Sequence, residues 1–219
     1  MKTVTEKVDG EMMCGVMREG GAEPWSRGGW TAQARSATRW ASAEGTGVLG
    51  VIADTHERNA TATFEYVGRQ SKVKAEYRKT DLVLVAVRSN RTGIYWEHDE
   101  LLELSRKYQV TAVHRFTELE GMSLNEIQSL VRTWEGVEGV VAHMSSGLVH
   151  KIKSDWWLAE EKQSKRRWYC PDSKLAAGRR EAKRAHHMEK ENQRVVLRGW
   201  SERIHPSFAL QFYDKALKV

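Results

Sequence analysis

Four short segments of the sequence carry side chains that could act on a phosphate-containing substrate. The first is the string Lys-Val-Asp-Gly at residues 7–10. A lysine acts as a nucleophile only when its amine is neutral, so a catalytic site at Lys7 would have to disfavour the ammonium form. The glycine that follows allows the backbone to approach a phosphate or a base closely. Alone, this four-residue string is a weak signal for catalysis.

The other three segments add two carboxylates and a pair of lysines. Glu65 lies between two aromatic residues in a strand-like run, and Glu138 precedes the apolar string Gly-Val-Val. Lys151 and Lys153 lie on either side of Ile152 and project on the same face if this segment is a strand. Two neighbouring ammonium groups repel each other unless an anion such as a phosphate lies between them. The alternatives are a solvent-facing Glu65 and an exposed basic strand face, and each segment alone leaves them open.

The surrounding pattern predicts a mixed α+β body with a substantially antiparallel sheet. Alternation and β-branched content predict strands at Glu11–Met17, Trp25–Trp30, Thr61–Val67, Asp81–Ser89, Val110–Phe116, 139–144 and 148–153. Helices are predicted at 31–43, Val48–Arg58 and Asp99–Lys107, and from the capping box of Ser123 and Glu126 to about Trp134. Beyond Pro171 the pattern predicts a helical tail, with helices at 172–194 and 206–217.

The charge is distributed unevenly along the 219 residues. Lys and Arg number 35 against 29 Asp and Glu, but residues 1–157 carry 20 basic and 21 acidic side chains, whereas 158–219 carry 15 and 8. We therefore place a domain boundary after Trp157. A basic appendage beside a balanced body favours a polyanionic partner, with nucleic acid the first candidate. The same residues could instead form the solvated face of a helix, and composition leaves both interpretations open.

Composition also excludes several classes of protein. No apolar run approaches the roughly 18 residues that a membrane span needs. The first residues, Met-Lys-Thr-Val-Thr-Glu-Lys, contain no apolar signal core. Two cysteines are too few for a disulfide scaffold or a four-cysteine zinc site. The sequence therefore predicts a soluble, cytoplasmic protein that does not act at a membrane.

Taken together and in order, the four segments resemble motifs I, III, IV and V of the covalent nucleotidyltransferases, which include DNA and RNA ligases and mRNA capping enzymes. The similarity is closest to the RNA ligase 1 family of T-even phages. It rests on Lys-Ile-Lys-Ser-Asp-Trp at 151–156 followed by Trp157, and on the Glu-Gly-x-Val string at Glu138. Residues 82–93 and 26–28 are also similar to that family. The resemblance covers residues 5–157.

This resemblance implies a fold and an activity. The fold would be an ATP-grasp-like ligase adenylation domain with mainly antiparallel sheets over 1–157, followed by a short basic helical region over 158–219. The activity would be the sealing of RNA ends with ATP and Mg²⁺ or Mn²⁺. Lys7 would form a lysyl–AMP phosphoramidate, the AMP would pass to an RNA 5′-phosphate, and a 3′-hydroxyl would displace it.

Roles for individual residues follow from the same resemblance. Lys151 and Lys153 would contact the α-phosphate, and Glu138 would hold the divalent metal through water. Glu65 would hold the nucleoside sugar or assist the metal, and Asp9 would orient or electrostatically assist the site of Lys7. The remaining nucleotide contacts implied by the resemblance are Glu6, Arg27 and Val140.

Two departures from the family pattern leave alternatives open. Only six residues precede Lys7, where the family has a longer segment, so the expectation is a short ligase, a fragment or one part of a split enzyme that needs an N-terminal partner. The 62 residues after Trp157 are fewer than in the family's C-terminal domain, so the RNA substrate does not carry over. The rival functions are a DNA ligase, a GTP-using capping enzyme, and a non-catalytic RNA-binding protein derived from a ligase.

Overall fold

Two antiparallel sheets and five α-helices make up the part of the chain that the structure, a computed structural model, describes: residues 3–44, 47–68, 75, 77 and 79–168. The strands are β1 (Thr3–Glu6), β2 (Glu11–Arg18), β3 (Gly21–Ser26), β4 (Ala60–Val67), β5 (Asp81–Ser89), β6 (Gly139–His143) and β7 (Val149–Lys153). The helices are α1 (Ala32–Glu44), α2 (Val48–Glu57), α3 (His98–Tyr108), α4 (Leu124–Arg132) and α5 (Asp155–Trp168).

The larger sheet has the strand order β3-β2-β4-β5, and all of its neighbours are antiparallel. Alternation along β4 buries Ala62, Phe64 and Tyr66 on one face, where they join Val51 and Ile52 of α2 in the larger core. Because successive side chains of a strand point to opposite faces, Glu65 is directed away from that core. One face of this sheet packs on the helices, and the other carries Glu65 beside a small third core that includes Val8, Val67 and Val83.

The smaller sheet has the order β1-β6-β7 and carries a second core. Val4, Val140 and Ala142 pack with Ile127 and Val131 of α4 on one face of the sheet. The antiparallel register pairs Thr5 with Val141, Val141 with Lys151, and Gly139 with Lys153, so these residues share the opposite face. The side chains that could do chemistry therefore lie on the face that α4 does not cover.

Residues 110–116, predicted as a strand, form a linking segment between the two sheets instead. Val113 N–H donates to Leu84 O of the larger sheet, while Phe116 N–H donates to Val4 O of the smaller sheet. Each sheet receives only an isolated bridge from this segment, so neither pairing is long enough to form a strand. The strand prediction was wrong because the apolar run is shared between two partners.

Two further elements differ from their predicted positions. Strand β3 begins at Gly21 rather than at Trp25, because the turn at Glu19 and Gly20 returns the chain directly into a hairpin with β2. Helix formation resumes at Asp155, well before Pro171, so α5 crosses the composition boundary at Trp157. The helices predicted at 172–194 and 206–217 lie outside the described residues.

The α+β fold class with mainly antiparallel sheets is confirmed. The predicted strands at 139–144 and 148–153 form a hairpin that turns at Ser145-Ser146-Gly147, and the predicted capping box of Ser123 and Glu126 is present. Among the helices in the described ranges, none combines the length and the apolar character needed to cross a bilayer.

Candidate active site

A buried carboxylate, Glu138, joins two lysines that are far apart in the sequence. Lys7 Nζ lies 2.8 Å from Glu138 Oε2, and Lys153 Nζ lies 3.0 Å from Glu138 Oε1. The Glu138 side chain is 5% exposed, and the two lysines are 17% and 30% exposed. Each oxygen of the carboxylate therefore has its own ammonium partner in a largely desolvated setting, where charge interactions are stronger than in water.

The register of the smaller sheet explains how these three residues meet. Lys7 directly follows β1, and its N–H donates to Gly139 O at 2.8 Å. Gly139 is paired with Lys153 at the start of the β6–β7 hairpin. Gly139 has a φ of +143°, and a Cβ there would collide with the backbone of the facing strand, so glycine is required at this position. The site therefore lies at the end of the smaller sheet where β1 ends and β6 begins.

Ser154 fixes the other side of the cluster. Its N–H donates to Glu138 O at 2.9 Å, and its Oγ donates to Val137 O at 2.7 Å. The same Oγ accepts from Trp157 N–H at 3.1 Å, an arrangement that caps the start of α5. The first turn of α5 then places the Trp157 ring 3.5 Å from Lys153 Nζ. One buried serine thus ties together the approach to β6, the end of β7 and the helix that carries the ring.

Glu65 approaches the cluster from the larger sheet. Burial raises the pKa of the Glu65 carboxyl from 4.5 to about 7; the charge of Lys7 opposes the shift and the charge of Glu138 adds to it. The backbone at Gly10 passes so close to Glu65 that a Cβ there would lie 2.7 Å from its Cγ and 2.6 Å from Tyr66 O. The glycine of the Lys-Val-Asp-Gly string therefore allows this close approach between β2 and β4.

Asp9 connects the Lys7 segment to residues 75 and 77. Its N–H donates to Tyr77 Oη at 2.9 Å, and its Oδ2 accepts from Ala75 N–H at 3.0 Å. Burial raises the pKa of the Tyr77 phenol. The Asp9 side chain is itself buried, so these hydrogen bonds hold the backbone that follows Lys7. These contacts agree with the prediction that Asp9 orients the site of Lys7. A role of Asp9 in catalysis stays a prediction.

The other predicted site residues are less closely associated. Lys151 is exposed on the same strand face as Lys153. Arg27 is exposed in the turn after β3, and within the described part of the chain no ion pair joins it to Glu138. Glu6 and Val140 face each other across β1 and β6, on the opposite side of the sheet from Thr5 and Val141.

Val140 and Glu6 are therefore placed differently from Lys7. Val140 is fully buried in the core beneath α4, so only its backbone could meet a nucleotide. The pKa of Glu6 is raised by burial, which the charge of His114 partly offsets. Their predicted nucleotide contacts, like that of Arg27, stay predictions.

A divalent metal was expected at Glu138. Across residues 3–44, 47–68, 75, 77 and 79–168, no group of three or more His, Cys, Asp or Glu side chains is arranged to hold a metal ion. Both Glu138 oxygens are paired with lysines, so Glu138 and Glu65 suit a hydrated ion such as Mg²⁺, which would reach them through its water and share its coordination with substrate phosphates. The residues present fit a metal held by protein and substrate together.

Sequence reasoning included Ser154 and Trp157 in the string that carries the resemblance but assigned them no role, and it missed Tyr77. Ser-Asp before two tryptophans was an available signal, because serine is a preferred N-cap and no Gly or Pro follows until Pro171. Tyr77 gave no signal, since its contact with Asp9 spans 68 residues.

The arrangement as a whole is suited to an anionic ligand. Two ammonium groups, those of Lys7 and Lys153, share the single carboxylate of Glu138, and Lys151 projects from the same strand face. A phosphate entering between the lysines would take over ion pairing from Glu138. The Lys7 amine faces both Glu138 and Glu65, and there it could attack the phosphorus atom of a phosphate held by the lysines.

Comparison with known proteins identifies a family and a fold. A family model for RNA ligase matches residues 3–155, which include all of the cluster. Solved structures of an RNA ligase from Naegleria gruberi share the fold. A variant with ATP and Mn matches with a TM-score of 0.57 and 18% identity over 73% of this chain and 51% of that chain.

Two further structures of the same Naegleria ligase give similar values. The form with pyrophosphate matches with a TM-score of 0.56 and 17% identity, over 74% of this chain and 51% of that one. A variant with AMP and Mn matches with a TM-score of 0.57 and 20% identity, over 73% and 51%. The chain thus spans about half the length of the solved relatives it matches.

Proposed function

The chain belongs to the RNA ligase family, and on that premise we propose that it is an ATP-dependent RNA ligase that joins an RNA 5′-phosphate to a 3′-hydroxyl through a lysyl–AMP intermediate. The observation that carries this proposal is the bridge from Lys7 through Glu138 to Lys153, built from residues 131 and 15 positions apart. It presents an amine beside a second ammonium group that can hold a phosphate.

In the first step, the neutral Lys7 amine attacks the α-phosphorus of ATP. A phosphorus–nitrogen bond forms, the nitrogen releases one of its two protons to a facing carboxylate or to water, the bond to the bridging oxygen breaks, and pyrophosphate leaves with the electron pair. Lys153, held between Glu138 and the Trp157 ring, and the neighbouring Lys151 balance the charge on the α-phosphate oxygens. Lys7 must first lose a proton, and Glu138 and Glu65 are the carboxylates that face it.

Two further phosphoryl transfers complete the reaction. A 5′-phosphate oxygen of RNA attacks the phosphorus of the lysyl–AMP, and Lys7 leaves as the amine and takes up a proton. A 3′-hydroxyl then attacks the RNA 5′-phosphorus, its proton is released, and AMP departs. Each step displaces a group at phosphorus, so the same lysines serve all three by positioning the phosphate and stabilising its charge.

Glu138, with Glu65 beside it, is the protein's contribution to a divalent metal site. A bound Mg²⁺ or Mn²⁺ would neutralise charge on the phosphate and on Glu138, and so disfavour the ammonium form of Lys7. The Naegleria ligase structures that contain ATP or AMP also contain Mn. Asp9 would hold the backbone after Lys7 in register, through its bonds to Ala75 and Tyr77.

The finer assignment is to the T-even phage type of RNA ligase 1, acting in the repair of broken RNA such as tRNA in the cytoplasm. It is supported by the Lys-Ile-Lys-Ser-Asp-Trp string at 151–156. We assign adenylyl transfer to residues 1–157 and RNA engagement to the basic residues 158–219, and a segment or partner in front of Lys7 would complete the ATP site.

The test is covalent labelling of the full chain with ATP labelled at the α-phosphate, in the presence of Mg²⁺ or Mn²⁺. We expect an acid-labile, base-stable adduct on the parent chain and none on Lys7→Ala. The matched control is Lys107→Ala, since Lys107 is 62% exposed and pairs with Asp54, away from the motifs. Labelling that persists in Lys7→Ala would show that the nucleophile is wrongly assigned.

A second arm separates the chemical steps. If the parent chain takes no label, it is given pre-adenylylated RNA with a free 3′-hydroxyl. Sealing of this RNA would place the defect in the first step alone, in agreement with an ATP site that needs a further segment. Absence of both labelling and sealing would contradict the ligase proposal and favour a binding protein.

A further inference from the structure

Two turns from different sheets bring exposed apolar side chains together. Ile94 and Tyr95 follow β5 and are 67% and 39% exposed, while Leu148 and Val149 in the β6–β7 hairpin are 62% and 39% exposed. Of the large hydrophobic side chains exposed in the described part of the chain, all but Leu130 lie in these two turns. An apolar concentration of this kind is unusual for a protein surface and indicates a binding function.

An aromatic contact joins the two turns into one surface. The rings of Tyr95 and His143 are 6.2 Å apart, at an interplanar angle of 77°. The Arg88 guanidinium lies 5.7 Å from the Tyr95 ring, and its Nε donates to Gly93 O at 2.7 Å. Ser89 N–H also donates to Ile94 O, so the turn that carries Tyr95 is held in place before any ligand arrives. We name Ile94, Tyr95, His143, Leu148 and Val149 the aromatic platform.

The aromatic platform lies on the same sheet face as the lysines of the candidate active site. His143 pairs with Val149, Val141 with Lys151, and Gly139 with Lys153. Opposite partners in an antiparallel pair share a face, so Val149, Lys151 and Lys153 form one row. Four residues along a strand span roughly 13 Å, which separates the platform from the Lys153 end of the row. A short stretch of extended single strand covers that distance.

The two segments that carry the platform contain basic side chains and no acidic ones. Residues 88–96 and 139–153 contain no Asp or Glu. Their charged or ionisable side chains are Arg88, Arg91, His143, His150, Lys151 and Lys153. Aromatic rings interleaved with cations are the combination that binds single-stranded nucleic acid, because bases stack on rings and phosphates pair with cations. Of these cations, Lys153 is paired with Glu138 at 3.0 Å, and Lys151 is exposed beside it.

We propose that the aromatic platform is a docking site for a nucleobase of single-stranded RNA, which lies along the β6–β7 face with its phosphates toward Lys151 and Lys153. The base stacks on Tyr95 and His143, and Arg91 contacts the backbone. The choice of RNA as the polyanion rests on the proposed function, whereas the stacking surface rests on the geometry of the two turns. The platform thereby holds the RNA strand roughly 13 Å, or four residues along β7, from Lys153.

The experiment is a binding titration by fluorescence anisotropy, with the full chain and a labelled single-stranded RNA of roughly a dozen nucleotides. ATP is omitted and EDTA is present, so no ligase step contributes. We expect Tyr95→Ala to raise the Kd about tenfold, as the loss of one base–aromatic stack does, and Tyr95→Phe to stay within about twofold. Leu130→Ala is the matched control, because Leu130 is similarly exposed on α4, beyond the opposite face of the sheet.

Salt dependence distinguishes stacking from ion pairing. Tyr95→Ala should keep the parental slope of log K against log salt, because stacking releases no counterions, whereas Arg91→Ala should lower that slope by about one. Photocrosslinking with 5-iodouridine RNA should label residues in 94–95 or 143–149. Parental RNA affinity in Tyr95→Ala, or crosslinks confined to other regions, would overturn the proposal.

Two other outcomes are also decisive. If the parent is a dimer that Tyr95→Ala dissociates, the surface is a self-association site and the proposal fails. If no lysyl–AMP forms but Tyr95→Ala still weakens RNA binding, the ligase proposal fails and the docking site stands. If Lys7 is labelled but Tyr95→Ala binds RNA with parental affinity, the ligase proposal stands and the docking site fails.

Discussion

Two carboxylates in this protein are each shared by two cations, and their surroundings differ. Glu138 lies between Lys7 and Lys153 at the end of the smaller sheet, and Asp54 of α2 lies between Lys107 and Arg58 on the helical side of the larger sheet. The cations of Glu138 are 17% and 30% exposed, whereas those of Asp54 are 62% and 51% exposed.

The two clusters also place a lysine over an aromatic ring. Lys153 Nζ lies 3.5 Å from the Trp157 ring, and Lys107 Nζ lies 4.9 Å from the ring of Tyr108. Tyr108 additionally donates its hydroxyl to Asp54 at 2.8 Å, which completes the bonding of that carboxylate. The same residue types thus link α2 to α3 through exposed cations at Asp54, and they gather two largely desolvated cations at Glu138.

The difference teaches that residue type does not identify the active cluster, and that desolvation and charge balance do. An exposed ion pair contributes little because water competes for both partners. In a desolvated cluster, a surplus of cations is costly until an anion arrives, so such a cluster is prepared to bind a phosphate. The experiments below test this contrast with matched changes in the two regions.

The largest effect is expected from neutralising the shared carboxylate of the buried cluster. Glu138→Gln should lower the rate of lysyl–AMP formation by about 10²- to 10³-fold, because Lys7 and Lys153 lose their common partner and a metal would lose its carboxylate. The measurement is the rate of covalent labelling at saturating ATP, with melting temperature as a check of folding. Asp54→Asn is the control and should label at the parental rate. Equal labelling rates in Glu138→Gln and Asp54→Asn would contradict the claim that only the buried cluster acts in catalysis.

The next effect is a pH dependence at Glu65. Its pKa rises from 4.5 to about 7 on folding, so the folded state binds a proton more tightly than the unfolded state. The stability that this proton confers is fully present below about pH 4.5 and is lost as the pH rises through about 7. Relative to Glu65→Gln, the parent should lose up to about 3 kcal/mol of unfolding free energy across this range.

Chemical denaturation at a series of pH values measures this loss. Asp54 provides the opposite sign, because the hydrogen bond from Lys107 holds the pKa of Asp54 below its ordinary value of 3.8. Its stabilisation is present above that value and is lost only in stronger acid. A parent and Glu65→Gln variant with parallel profiles from pH 4.5 to 8 would show that Glu65 is not desolvated as the structure has it.

A smaller effect is expected at the Trp157 ring. Trp157→Leu should slow covalent labelling about tenfold, because Lys153 loses a desolvated cation–π contact of about 1–2 kcal/mol, and Trp157→Phe should recover part of the rate. The split between the KM for ATP and the maximal rate distinguishes positioning from a general loss of packing. Tyr108→Leu removes the equivalent ring from the exposed cluster and should leave the rate unchanged once folding is verified.

The smallest effect is expected at the exposed cluster itself. Asp54→Asn should lower the free energy of unfolding by about 1 kcal/mol, since it weakens hydrogen bonds and ion pairs that water already screens. Thermal or urea unfolding at low and high salt measures this loss, which salt should reduce. A loss of several kcal/mol that salt does not affect would mean that the two clusters are energetically alike.

Much of the fold was predictable because its signals are local. The hairpin of β6 and β7 follows from two apolar runs around Ser-Ser-Gly, and α4 follows from the capping box of Ser123 and Glu126. Residues 110–116 were not predictable, because their hydrogen bonds divide between β1 and β5. The local sequence pattern indicates that a segment is extended, but it does not indicate with which strands that segment forms hydrogen bonds.

The sequence by itself determined which residues could do chemistry and in what order they occur: Lys7, Glu65, Glu138, Lys151 and Lys153, each beside an apolar run that predicts a strand. Only the tertiary structure decided that Glu138 takes Lys7 and Lys153 as partners, that Ser154 and Trp157 hold this cluster, and that Val140 faces the core. The physical reason is that strand periodicity is encoded locally, whereas desolvation and charge pairing depend on strand register across separations of more than a hundred residues.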